Sequence, residues 1–154
     1  MNCKAIVIPL VVAVSLGFAA CGGDNDDETL SKADLAKKAN AICKDANEDS
    51  GPITAPANVY EDPVAAATYY GKLAPIFQKQ TDELAKLKPD DDVKADWAQF
   101  LDREKQSNET LKAVLAEAKA KDPSRVRVIA KQQRILTKLT AEANAIGASE
   151  CASH

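Results

Sequence analysis

Val93-Lys94-Ala95-Asp96-Trp97-Ala98-Gln99-Phe100-Leu101-Asp102-Arg103-Glu104-Lys105-Gln106-Ser107-Asn108-Glu109-Thr110-Leu111-Lys112-Ala113-Val114-Leu115, continued to Lys121, reads as one long helix. Val93, Trp97, Phe100, Leu101, Leu111, Val114, Leu115 and Ala118 recur at three- and four-residue intervals, the spacing of a helix that lays one apolar stripe on a core. The middle of that stripe is polar, at Glu104, Ser107 and Asn108. A proline-bearing break stands at each end. Before the helix, Lys88-Pro89-Asp90-Asp91-Asp92 makes a turn and places negative charge at the helix N-terminus, where the dipole favours it. After it, Asp122-Pro123 caps and launches the next helix. A long helix with short connections on both sides needs an antiparallel neighbour on both sides.

Working outward, the second helix starts at Asp62 as N-cap with Pro63 at its first position, and runs to Lys88. Val64, Ala67, Gly71, Ala74, Phe77, Thr81 and Leu84 trace its buried stripe, and Pro75 predicts a kink beside Tyr69 and Tyr70. The fourth helix carries Val126, Ile129, Leu136, Leu139, Ala143 and Ile146 inside, with polar Gln132 among them, and stops at Gly147. Upstream, Ser31 caps a first helix reaching about Asn47, with Leu35, Ala39, Ile42, Cys43 and Ala46 on one face. Between this helix and the second, Gly51-Pro52-Ile53-Thr54-Ala55-Pro56 favours extended chain. Alanine is abundant and aromatics are 5%, a composition that permits close helix packing. The expected fold is all-α, a four-helix bundle with helices two to four running up, down and up.

Two of the four cysteines set the orientation of helix one as an open question. Cys3 and Cys21 belong to the N-terminal segment, which leaves Cys43 and Cys151. An even remainder in an exported protein reads as a disulfide, here closing a loop of about 108 residues. In a plain up-down-up-down order Cys43 lies about 18 Å beyond the start of helix one, whereas Cys151 follows the end of helix four at that same start. Either the tail after Gly147 folds back, or helix one is reversed and the proline-rich segment climbs the bundle, since about 14 extended residues span more than 40 Å.

The N-terminus supplies the cellular context. Lys4 precedes an apolar run from Ala5 to Ala20, short for a membrane span and typical of a secretion signal. Phe18-Ala19-Ala20-Cys21 resembles the lipobox of bacterial lipoproteins, with phenylalanine where leucine is usual. That resemblance implies a lipid thioether on Cys21 as the mature N-terminus. Gly22 to Glu28 is glycine and acid with Asn25, a self-repelling tether. The expected organisation is a signal peptide over 1–20, a tether over 21–29 and a bundle domain over 30–154, lipid-anchored on the extracytoplasmic face of the cell membrane. With Phe18 to Cys21, the acidic tether, and Cys43 with Cys151, the chain is similar to small cysteine-paired helical lipoproteins of high-GC Gram-positive bacteria, largely of unassigned function.

The residues exclude several chemistries. His154, at the extreme C-terminus, is the one histidine, so Glu-x-x-His di-iron pairs, a histidine-based triad and histidine-ligated haem have no ligands in the helices. There is no glycine-rich phosphate loop, and neither a cofactor nor a metal is expected. Asn108-Glu109-Thr110 matches a glycosylation sequon, a coincidence in such a lipoprotein. Two constellations remain. Glu104 is expected opposite the Pro75 break and Asn108 opposite Gly71, so that with Tyr70 they either enclose a small polar or amphipathic ligand or form a polar layer that fixes helix register. Arg127, Lys131, Arg134 and Lys138, with Arg125 near the start, form a basic stripe that either meets an anionic headgroup or envelope polyanion, or is a solvated face. No aromatics interleave it, which argues against nucleic acid. The leading expectation is a non-enzymatic envelope protein acting through contacts; the alternatives are a ligand carrier and an unrecognised enzyme.

Overall fold

The computed structural model describes residues 29–152. The expected signal peptide, Cys21, the tether up to Glu28 and His154 lie outside them. Within them the chain forms α1 (Lys32–Ser50), α2 (Pro63–Leu84), α3 (Lys94–Lys119) and α4 (Arg125–Ala145), followed by a 3-10 turn at Ser149–Ala152. The all-α four-helix arrangement is the one the periodicity implies. Among the described residues no helix is long and apolar enough to cross a membrane.

Helix ends follow the cap chemistry. The Ser31 hydroxyl accepts from the Asp34 amide at 3.3 Å, and the Asp62 carboxylate accepts from Val64 at 2.8 Å and Ala65 at 3.3 Å. The expected Asp122 cap differs: α4 starts at Arg125 with no side-chain cap, and the Asp122 carboxylate instead closes the turn before it, accepting from the Ser124 amide at 2.8 Å. α4 ends in a left-handed turn: Gly147 takes φ 82°, and the Ala148 amide reaches back to the Ala143 carbonyl at 2.8 Å. α3 ends the same way on a less suited residue, Lys121 at φ 57°, with Asp122 N–H bonded to the Glu117 carbonyl at 2.9 Å. α2 runs unbroken through Pro75 but stops at Leu84, short of Lys88, while α1 runs on to Ser50, past Asn47.

Leu30 settles the orientation of α1. Its amide donates to the Lys88 carbonyl at 2.7 Å and its carbonyl accepts from Asp90 at 2.9 Å, so the start of α1 sits at the α2–α3 turn. α1 therefore climbs antiparallel to α2, and the order is up, down, up, down. Of the two arrangements left open, the folded-back tail is the one found. Asn40 Nδ2 donates to the Gly147 carbonyl at 3.0 Å, Asn40 Oδ1 accepts from the Glu150 amide at 2.8 Å, and Asn47 Nδ2 donates to the Glu150 carbonyl at 2.8 Å. These bonds lead residues 147–151 up the side of α1. Cys43 and Cys151 thereby lie at disulfide distance, Cα–Cα 5.0 Å.

The tail occupies a real gap. α3 packs on both α2 and α4, and α1 packs on α2, but no α-carbon of α1 comes within 8 Å of α4. Residues 149–152 fill the lower part of that groove, touching both helices. Below, one apolar core gathers Leu35, Leu84, Trp97, Phe100 and Leu139 around the cysteine pair. Above, two smaller clusters form around Ala66 with Ala118 and around Leu73 with Leu111. Burial of such side chains stabilises by about 1.5–3 kcal/mol each for the large aliphatics. Two expected core residues are instead exposed, Val64 and Val126, as is Gly71. All three lie in the upper half, where α1 has given way to the connecting segment; there Ala66, Leu73 and Ile135 are buried although they were not expected on the stripe.

Candidate functional site

Above the tail the groove between α1 and α4 stays open. It forms a cavity of about 580 Å³, within the range of small-molecule sites. Asn47 and Glu150, hydrogen-bonded to each other, mark its lower rim. Leu73 and Phe77 of α2, Leu111 of α3, and Ile129 and Leu136 of α4 supply apolar wall, and Tyr60, Tyr69 and Tyr70 supply aromatic surface. Tyr69 and Tyr70 meet edge to face at 5.0 Å between ring centroids, which holds Tyr70 half-buried at the wall. Burial pushes both hydroxyls above their ordinary value, Tyr70 to about 12.

The polar belt of α3 forms the back of the cavity. Glu104, Ser107 and Asn108 are all buried, Glu104 at 4% exposure, so the belt does not face solvent. Its partners come from two elements, α2 and α4. Gln80 of α2, 2% exposed, donates to Glu104 Oε1 at 3.2 Å and to the Cys43 sulfur at 3.4 Å. Asn108 Nδ2 donates to the Phe77 carbonyl at 2.9 Å and to Thr81 Oγ1 at 2.8 Å. Gln132 Nε2 of α4 donates to Ser107 Oγ at 2.7 Å. With these donors engaged, Asn108 Oδ1 and Gln132 Oε1 are buried without a hydrogen-bond partner among the described residues. Burial raises the Glu104 carboxyl to about 7, against a smaller lowering by the Gln80 amide.

Glu104, Asn108 and Tyr70 are thus brought to one cavity, but in a different register from the one expected. Glu104 faces Gln80 rather than Pro75, and Asn108 faces Phe77 and Thr81 rather than Gly71, whose nearest neighbour across the interface is Leu115. Residues 88–90 are spent on the bridge to Leu30 instead of on a tight reversal, which sets α3 further along α2. Gln80 escaped the sequence reading, although it continues the series Leu73, Phe77, Gln80, Leu84 at helical spacing.

The basic stripe divides. Arg127, Lys131, Arg134 and Lys138 are exposed along α4. Arg125, 7% exposed, belongs to the interior: its guanidinium donates to the carbonyls of Tyr60 at 3.0 Å, Glu61 at 2.7 Å and Asp122 at 3.2 Å. It fixes the segment before α2 to the start of α4, and so places Tyr60 on the cavity wall. No group of three or more His, Cys, Asp or Glu among the described residues is placed to hold a metal ion. Neither a known protein family, nor a curated protein, nor a solved structure matches the chain.

Proposed function

We propose that this chain is a carrier of a small amphipathic ligand, tethered through lipid on Cys21 to the extracytoplasmic face of the membrane, and a binding protein rather than an enzyme. The observation that carries the reading is the cavity: apolar and aromatic walls around buried acceptors, Asn108 Oδ1 and Gln132 Oε1, that have no hydrogen-bond partner among the described residues. A buried acceptor without a partner costs about 1–3 kcal/mol, and a polar layer that served register alone would gain by pairing them. This moves the carrier ahead of the contact-only expectation. The exposed Arg127, Lys131, Arg134 and Lys138 stripe suits a domain that works beside anionic headgroups.

Native mass spectrometry of protein isolated from its host tests the carrier. The expected result is an added mass that leaves on denaturation and is missing from the Glu104→Leu/Asn108→Leu variant, which should remain folded. A host-isolated wild type without added mass, and without uptake of any amphipathic probe, overturns the reading. Anchoring is tested separately: Cys21→Ala should leave the membrane fraction, and retention there would exclude the lipid.

A further inference from the structure

Resting on the carrier reading, the chemistry of the cavity specifies its ligand further. Among the described residues the charged ones on its wall are Glu104 and Glu150, with no lysine, arginine or histidine. An anionic head, such as a fatty carboxylate, would therefore meet two carboxyl groups and no counter-charge. Among the described residues, the buried polar atoms of this wall left without a partner, Asn108 Oδ1 and Gln132 Oε1, are both acceptors. Asn108 presents its oxygen because its nitrogen is held by the Phe77 carbonyl, which an amide oxygen in the same place would repel. Gln132 likewise keeps its nitrogen on Ser107 and leaves its oxygen. Tyr60, Tyr69, Tyr70 and Phe77 line the same cavity, and an aromatic face attracts a cation within about 6 Å.

We infer that the ligand is an amphipathic amine, its ammonium N–H groups donating to Glu104, Asn108 and Gln132 and its apolar body lying along the aromatic and aliphatic wall. Primary or secondary amines fit and quaternary ones do not, because acceptors call for N–H donors. Binding is linked to protons. The Glu104 carboxyl titrates at about 7 in the free protein, and a cation beside it favours the carboxylate, so seating the ammonium releases the carboxyl proton to solvent. Gln80, which donates to Glu104 from α2, and the Cys43 sulfur that shares that amide are uncharged, as are Ser107, Asn108 and Gln132 on the same wall. Tyr69 and Tyr70 stay neutral through the same pH range, and Glu150 on the tail adds a second negative charge at the rim.

Calorimetric titration of the oxidised protein with decylamine, decanol and decanoate decides the matter. At pH 8 decylamine should bind about tenfold more tightly than the other two, and about fivefold more weakly at pH 6, while decanol binding stays level. Glu104→Gln should abolish both the preference and the pH dependence yet keep decanol binding. Should that variant fail to fold, the three probes on the unsubstituted protein suffice. Decanol or decanoate binding as tightly as decylamine overturns the amine and leaves the carrier standing. Failure of all three to bind overturns both.

Discussion

Gln80 donates to Glu104 Oε1 at 3.2 Å inside the bundle, and through its second contact to the Cys43 sulfur it ties the polar belt to the cysteine pair. One buried amide thus joins the α2–α3 interface, the cavity and the anchor of the C-terminal tail.

Glu104 makes stability depend on pH. Its carboxyl is raised from 4.5 to about 7 by burial, so between these values the folded chain holds a proton that the unfolded chain has lost. Stability is full below the lower value and declines as pH rises to the upper one, by roughly 3 kcal/mol at most. Melting temperatures measured from pH 4 to pH 8 should fall across that window. Glu104→Gln should flatten the profile and exceed the wild type at pH 8; a wild type equally stable throughout would show that the carboxyl is not desolvated.

Cys43→Ser, or reduction of the native protein, opens a closed loop of 108 residues. Loop-closure entropy sets the loss at about 4.7 kcal/mol in the limit where the unfolded chain retains no structure. The melting temperature should drop by roughly 10 °C or more. Hydrogen exchange at residues 147–152 should rise as well, since the covalent tie to α1 is gone and hydrogen bonds such as those of Asn40 and Asn47 remain. Unchanged melting after complete reduction would contradict this.

Arg125→Met should destabilise by about 2–3 kcal/mol, because three carbonyls lose a charged donor at once. The accompanying sign is faster exchange in residues 51–62. Arg127→Met, two positions on and exposed, is the control and should change stability by less than about 0.5 kcal/mol. Equal effects from the two would remove Arg125 from its positioning role.

Lys121→Gly should stabilise by about 1 kcal/mol, since φ 57° costs a side-chain-bearing residue what glycine avoids. Thermal melting reads it directly. A loss of stability would mean that the α3–α4 turn does not use the left-handed conformation.

Much of the bundle is decided by short-range chemistry, which a sequence carries openly. Ser31 and Asp62 bond amides two or three residues away, Gly147 permits a backbone angle at its own position, and the apolar stripe of α3 repeats within each turn. The even cysteine remainder likewise follows from counting. Tertiary structure alone decided what depends on residues far apart. Whether the tail folds back rests on Leu30 pairing with residues 88–90, and on Asn40 and Asn47 meeting residues more than a hundred positions away. The register that gives Glu104 to Gln80 depends on how that bridge consumes the α2–α3 turn. Arg125 and Arg127 are alike in sequence and opposite in burial, because one faces the Tyr60 and Glu61 carbonyls and the other faces water. Helix periodicity names the polar residues on the stripe, but the cavity beside them exists because α1 and α4 stand apart and the tail fills only the lower part of the space between them.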